Sequence, residues 1–242
     1  MGIILSEGSV IKVKRSTTVV IVATLIASIL ISTPANAGSK SKKNKKASLT
    51  SKSLSLCKGT SAVGHTPMRL PVPSVNKPHV NKIITLKTNC GEIQIAADGV
   101  NAPLTVISMD YLANKGYFDK SPCHRVTTTG IFVLQCGDPS ASGSGGPPWQ
   151  VPDENLPTGT GNFYPAGSVA MANSGRPNTG GSQFFIVYED NSGLGPNYSL
   201  WGKVIKGLEI VKAIAALGSD NSNPAGGGVP NQPIAIEKAT SR

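Results

Sequence analysis

A chain of 242 residues with a formal net charge of +10 allows one domain plus extensions. Seven lysines and no acid lie between Gly38 and Lys58, whereas 13 basic and 12 acidic residues follow from Gly59 onward, so the basic character is that of a tail and not of a nucleic-acid-binding body. No aromatic residue precedes Asn81, which removes any base-stacking platform from the basic stretch, and 27 glycines with 18 prolines suit a loop-rich β protein better than a helical bundle.

Lys12, Lys14 and Arg15 precede the apolar run Val19 to Ile31, and Ala35, Asn36 and Ala37 supply small residues at signal-peptidase spacing. Residues 1–37 are therefore read as a secretory signal. An uncleaved membrane anchor is the alternative, although the run is shorter than the roughly 20 residues that span a bilayer core. Residues 38–80 read as a linker, Lys/Ser-rich at first and then carrying Pro67, Pro71, Pro73 and Pro78. Such a composition buries too little apolar area to offset its ordering entropy. Its lysines read as a solvated tether, with association with a membrane or an anionic wall polymer as the alternative.

A folded domain is expected over residues 81–240. Lys82 to Thr88 and Glu92 to Ala97 alternate around Asn89-Cys90-Gly91, which predicts a hairpin. Pro103 to Asn114 fits a helix with proline in its first turn and Leu104, Ile107, Tyr111 and Leu112 on one face. Short strands are predicted near His124 and over Ile131 to Cys136, Ser168 to Ala172, Gln183 to Tyr188 and Leu200 to Ile205. Leu208 to Leu217 predicts a second amphipathic helix ended by Gly218, and Pro233 to Lys238 a last strand. About eight strands and two helices predict a mainly β fold, a closed eight-stranded antiparallel β-barrel without open edges.

The run from Met171 to Ile186, MANSGRPNTGGSQFFI, is the most informative. Two apolar strands flank a loop of Gly, Asn, Thr and Ser that is poor in charge. Upstream, His124-Arg125 and Gln135-Cys136-Gly137-Asp138 add one arginine and one glutamine among apolar neighbours. Such a set binds and desolvates a neutral, peptide-like ligand. It lacks the partnered acids and bases of proton-transfer or nucleophilic chemistry.

These stretches, with Pro196 to Val204 after them, resemble the cyclophilin family of peptidyl-prolyl cis-trans isomerases, particularly its bacterial, actinobacterial branch. The resemblance spans roughly Lys82 to Lys238. It implies the same barrel with a helix capping each mouth, no cofactor, and proline-containing peptides and unfolded proteins as partners of a monomeric enzyme. Arg125 matches the catalytic arginine. Phe132, Val133, Phe185 and Leu194 match the proline pocket, and Gln135 the glutamine that contacts substrate backbone and orients the arginine. Ala172 and Asn173 match the segment that pairs with substrate backbone. Tyr198 falls where many members carry histidine, and Gly193 where some carry a tryptophan that matters for cyclosporin binding. A peptide-binding or chaperone module with little turnover is the alternative reading. The apolar pocket residues also suit plain barrel core.

Other groups carry less. His65, His79 and His124 make no metal site. Ser142 to Gly146 runs into Pro147-Pro148 instead of a helix and reads as a solvent loop, and Asp153-Glu154 read as loop charges. Four cysteines permit three full pairings. Cys123 and Cys136 flank a predicted hairpin, which would leave Cys57 to tie the linker to Cys90. Free, partly buried thiols are the alternative.

Overall fold

A computed structural model describes residues 57–190 and 193–242. The signal or anchor read over residues 1–37, and the linker as far as residue 56, lie outside the described residues.

Strand β1 (Lys82–Thr88) and strand β2 (Gly91–Ala97) form the expected hairpin, with Thr88 opposite Gly91. The Thr88 hydroxyl donates to the Gly91 carbonyl at 2.6 Å and accepts from the Cys90 N–H at 3.1 Å, closing the turn. Helix α1 (Pro103–Asn114) starts at the proline that the sequence marks. Its buried face is broader than the expected one. Ile107 and Leu112 are buried as expected, Val106, Met109 and Ala113 are buried beside them, and Leu104 and Tyr111 are half-buried, Tyr111 packing against Trp149. The side chain of Glu154, expected as a plain loop charge, reaches the first turn of α1. It accepts the N–H groups of Leu104 at 2.9 Å and Thr105 at 2.8 Å, which supplies a remote carboxylate cap where Ala102 has none.

The remaining elements are β3 (Ser121–Pro122), β4 (Arg125–Val126), β5 (Val133–Cys136), β6 (Ser168–Met171), β7 (Phe184–Val187), β8 (Leu200–Lys206), α2 (Leu208–Ala215) and β9 (Ala235–Ser241). The sheet is antiparallel and runs β3-β9-β1-β2-β8-β6-β7-β5-β4. This corrects the expected closed eight-stranded barrel. Among the described residues nine strands are paired, and the ladder ends at β3 and β4 without joining them. The cause lies in one segment. Residues 121–126, where one short strand was expected near His124, split at Cys123-His124. Ser121-Pro122 pairs with β9, and Arg125-Val126 pairs with β5. The two ends of the curled sheet are thus successive pieces of the same chain.

The main core lies inside this curl under both helices, with Trp201, Tyr117, Phe118, Phe184 and Leu112 fully buried. Strands β5, β6 and β7 also carry a second, smaller cluster on their other face: Val133, Ala170, Phe185 and Val187, with Tyr164 and Leu194. Both faces being covered, β6 and β7 are buried at every position.

The proline-rich stretch before β1 has no regular secondary structure, yet its first part is docked on the body. A disulfide joins Cys57 to Cys90, and Lys58 donates its N–H to the Asn89 carbonyl at 2.8 Å. The Thr60 hydroxyl donates to Glu237 at 2.6 Å, the His65 N–H donates to the Pro139 carbonyl at 2.8 Å, and Met68 and Leu70 pack against the core. Local composition does not show these anchors because each partner is remote in sequence. A second disulfide joins Cys123 to Cys136. Among the described residues no helix is long and apolar enough to cross a membrane.

Candidate functional site

The site is built where β4 leaves the sheet edge. Arg125 stands opposite Gln135 in the two-pair ladder of β4 and β5, so both side chains emerge on the same face. The guanidinium Nη1 donates to Gln135 Oε1 at 3.2 Å. From the other side the loop before β9 holds it: Nε donates to the Gly226 carbonyl and Nη2 to the Ala225 carbonyl, each at 2.9 Å. That loop is laced to β4 by the Val126 N–H donating to the Gly228 carbonyl at 2.8 Å and by the reverse bond at 3.1 Å. A guanidinium has five N–H donors. Among the described residues three of them are engaged, which leaves two for a ligand. Burial lowers the pKa of Arg125 from its ordinary value, and a guanidinium so placed is still a cation at neutral pH.

Gln135 is itself oriented. Its amide donates to Gln183 Oε1 at 2.9 Å, and the Gln183 amide donates to the Gly145 carbonyl at 3.0 Å. The loop 140–145 is in turn folded around Asp138, which is fully buried. The carboxylate accepts the Ser140 N–H at 2.8 Å, the Ser140 hydroxyl at 2.6 Å and the Gly143 and Gly145 N–H groups at 2.8 and 3.1 Å. Burial works to raise the carboxyl's pKa, but these hydrogen bonds, that of Ser140 first, hold it below the ordinary value. Gly137 has a φ of 89°, and a Cβ there would run into the Ser182 carbonyl, so glycine is required where β5 passes β7.

The apolar wall is the second cluster. Val133, Phe185 and Leu194 are buried, with Ala172 and Tyr198 packed against them. The Phe185 ring meets that of Tyr198 edge-to-face at 5.2 Å. Tyr164 fixes Tyr198 from beneath. Its hydroxyl donates to the Tyr198 carbonyl at 2.9 Å and accepts the Tyr198 N–H at 3.0 Å, and burial raises its pKa to about 12. The Asn173 amide donates to the Asn197 carbonyl at 2.9 Å, at the end of β6. A cleft of ≈ 440 Å³ continues past Gln135, Gln183, Ala172 and Asn173 toward Trp149.

Of the residues expected from sequence, Arg125 and Gln135 are brought into contact, and Val133, Phe185, Leu194, Ala172 and Tyr198 into one cluster. Asn173 lines the adjoining cleft. Phe132 goes elsewhere. It is half-buried against the main core, edge-to-face with Tyr188 at 6.0 Å, because it precedes β5 and alternates with Val133. A Cβ on Gly193 would meet the Gly130 carbonyl at 2.5 Å, so a larger side chain fits there only if the backbone shifts. Gln183, Tyr164 and the Ala225-Gly226 carbonyls were missed from sequence. Gln183 lies inside the MANSGRPNTGGSQFFI run and was within reach of that signal; a backbone carbonyl leaves no sequence signal. Among the described residues no group of three His, Cys, Asp or Glu is placed to hold a metal ion.

The model of a family described as cyclophilin type peptidyl-prolyl cis-trans isomerase/CLD matches residues 83–241. The chain is 40% identical over 156 residues to a probable peptidyl-prolyl cis-trans isomerase B of Mycobacterium leprae, covering 58% of this chain and 52% of the relative. It is 34% identical over 182 residues to peptidyl-prolyl cis-trans isomerase A of Mycobacterium tuberculosis, covering 68% of this chain and 94% of that one. The chain spans about half the length of the mycobacterial B-type relatives it matches. A crystal structure of a Cryptosporidium parvum cyclophilin type peptidyl-prolyl cis-trans isomerase is similar with a TM-score of 0.58 at 26% identity, over 67% of this chain and 98% of that one. A structure of that protein in the presence of the dipeptide Ala-Pro is similar with a TM-score of 0.56 at 27% identity.

Proposed function

We propose an activity for a chain that belongs to the cyclophilin-type peptidyl-prolyl cis-trans isomerase family: it accelerates the cis–trans exchange of X-Pro bonds in unfolded or partly folded proteins outside the cytoplasm. Amide conjugation sets the rotation barrier near 18–20 kcal/mol, and uncatalysed exchange takes about 10–100 s at 25 °C. No covalent intermediate is required. A catalyst has only to bind the twisted amide better than either planar one. In the twisted state the prolyl nitrogen becomes pyramidal and basic and the carbonyl loses conjugation.

The observation that carries this reading is the Arg125 guanidinium, clamped by Gln135, Ala225 and Gly226 beside an apolar wall. Its two remaining N–H groups can donate to the twisted nitrogen, and their orientation is set before substrate arrives. Val133, Phe185 and Leu194 grip the pyrrolidine ring and strip it of water. Ala172 and Asn173 pair with the substrate backbone, and Tyr198 borders the ring site.

The folded unit is assigned to residues 81–240, with Cys57 to Val80 as a docked strap. Export, with or without a retained membrane tether, is supported by the basic and apolar pattern of residues 1–37 and by two disulfides, which persist in oxidising compartments. The protein is taken to work as a monomer on proline-containing segments of other chains. The test is the isomerisation rate of a short Xaa-Pro peptide with the purified chain. Aggregation suppression without any rate increase would instead identify a peptide-binding chaperone.

A further inference from the structure

We propose that the Cys123–Cys136 disulfide is a positioning device for the catalytic cation, the covalent clamp that keeps Arg125 against Gln135. The inference rests on the role given to Arg125 above. The bridge joins residues two before Arg125 and one after Gln135. Strand β4 has two ladder pairs, Arg125–Gln135 and Val126–Leu134, whereas β5 is also held by four pairs with β7. An edge strand of two residues has little ladder to fix it.

Its two ends differ. Beyond Val126 the hairpin is shut by the Thr127 N–H donating to the Val133 carbonyl at 3.0 Å and by the Val133 N–H donating to Thr127 Oγ1 at 3.1 Å. Before Arg125 the chain turns away, since the Cys123 N–H donates to the Ile234 carbonyl at 2.9 Å in the opposite arm of the sheet. The disulfide sits in that fork. Among the described residues it is the one cross-link between the segment leading into β4 and strand β5, and both sulfur-bearing residues are buried in the main core. Without it β4 can fray from its open end and carry the guanidinium away from Gln135. A misplacement of about 1 Å in a catalytic group costs up to ~100-fold in rate. The Cys57–Cys90 bridge ties the strap to the β1–β2 turn, with Cys90 Sγ 3.9 Å from the Pro233 carbonyl, and joins neither β4 nor β5, so it serves as an internal control.

The experiment compares the full chain, a Cys57→Ala/Cys90→Ala variant and a Cys123→Ala/Cys136→Ala variant in the Xaa-Pro peptide assay. Thermal unfolding and the Arg125 Nε–Hε NMR resonance are recorded for each. To keep the test independent of whether the second variant folds, the first is also treated with dithiothreitol. This dithiol gives two electrons and two protons to the remaining bridge, leaving the two thiols Cys123 and Cys136 with little change of side-chain volume, and itself closes to a cyclic disulfide. The expected result is a fall in kcat of roughly fivefold or more, KM within about twofold, and loss of exchange protection of the Arg125 resonance when Cys123–Cys136 is absent. Losing Cys57–Cys90 alone should leave all three unchanged. Wild-type kcat with the Cys123–Cys136 bridge open, or equal losses from opening either bridge, overturns the proposal. Arg125→Ala is run in parallel. Full turnover in that variant overturns the role of Arg125, while its loss beside an active open-bridge protein overturns the clamp alone.

Discussion

The two faces of β5, β6 and β7 bury similar side chains for different ends. On the inner face Leu134, Val169, Phe184 and Ile186 fill the main core with Trp201 and Phe118. On the outer face Val133, Ala170, Phe185 and Val187 form a smaller cluster bordered by Arg125, Gln135 and Tyr198. The inner cluster is sealed by helices. The outer one is covered by loop residues and by Leu200 of β8, and borders an open cleft. Neighbouring positions of one strand therefore divide between stability and recognition, and Phe184 and Phe185 give the sharpest contrast.

The largest effect is expected from Phe184→Ala, which should cost about 3–5 kcal/mol of unfolding free energy while activity per folded molecule stays near wild type. Phe185→Ala should cost less stability and raise KM, because its ring borders the proposed proline pocket. Denaturant titration and peptide kinetics on both variants check this. Equal stability losses with no change in KM for Phe185→Ala would reduce the outer cluster to ordinary core.

Arg125→Ala comes next. We expect kcat/KM to fall at least tenfold, about 1.4 kcal/mol of transition-state stabilisation, with the thermal midpoint little changed. Stopped kinetics on the folded variant with wild-type turnover would remove the cation from the site.

His124 offers a smaller, pH-dependent effect. It is 8% exposed, and burial lowers its pKa; Arg125 acts in the same direction and Asp138 against it. The folded value lies below the unfolded one near 6.5, so the unfolded state binds the proton first. Stability should be full above pH 6.5 and decline as pH falls from there to the folded pKa. Asp138, also depressed, adds a loss only below the ordinary aspartate value near 3.9. Urea midpoints measured from pH 8 to 5 should slope for the wild type and flatten for His124→Phe. A flat wild-type profile would contradict this.

The smallest effect concerns the strap. Removing residues 1–56 should leave both midpoint and activity unchanged. Removing residues 1–80 should lower the midpoint, since the Cys57–Cys90 bridge, the Thr60–Glu237 bond and the Met68 and Leu70 packing go with it, yet leave kcat/KM intact. An active-site effect of the longer deletion would tie the strap to the site.

Much of this was legible in the sequence. The Lys82–Thr88 strand and the Pro103–Asn114 helix were bounded correctly, because alternation and a first-turn proline are local signals. Arg125 and Gln135 were marked by their motif, and their contact follows from the hairpin register. The side-chain reach of Glu154 to α1, the docking of residues 57–70 and the two carbonyls behind Arg125 depend on groups distant in sequence, so no window of the chain displays them. Phe132 stands apart from the outer cluster for a different reason. Adjacent apolar residues alternate between two covered faces, and where both faces are buried hydrophobicity alone does not say which side chain faces which cluster.

The split of residues 121–126 between the two ends of the sheet has a mechanical meaning. A ring of strands paired all the way round resists widening everywhere, since any gap breaks hydrogen bonds. Here the two arms meet at Cys123-His124, where the Cys123–Cys136 bridge and the Cys123 N–H bond to the Ile234 carbonyl take the place of a continuous ladder. Closure at the seam beside the guanidinium thus rests on one cross-linked residue, whereas elsewhere in the curl it is spread over the hydrogen bonds of many strand pairs.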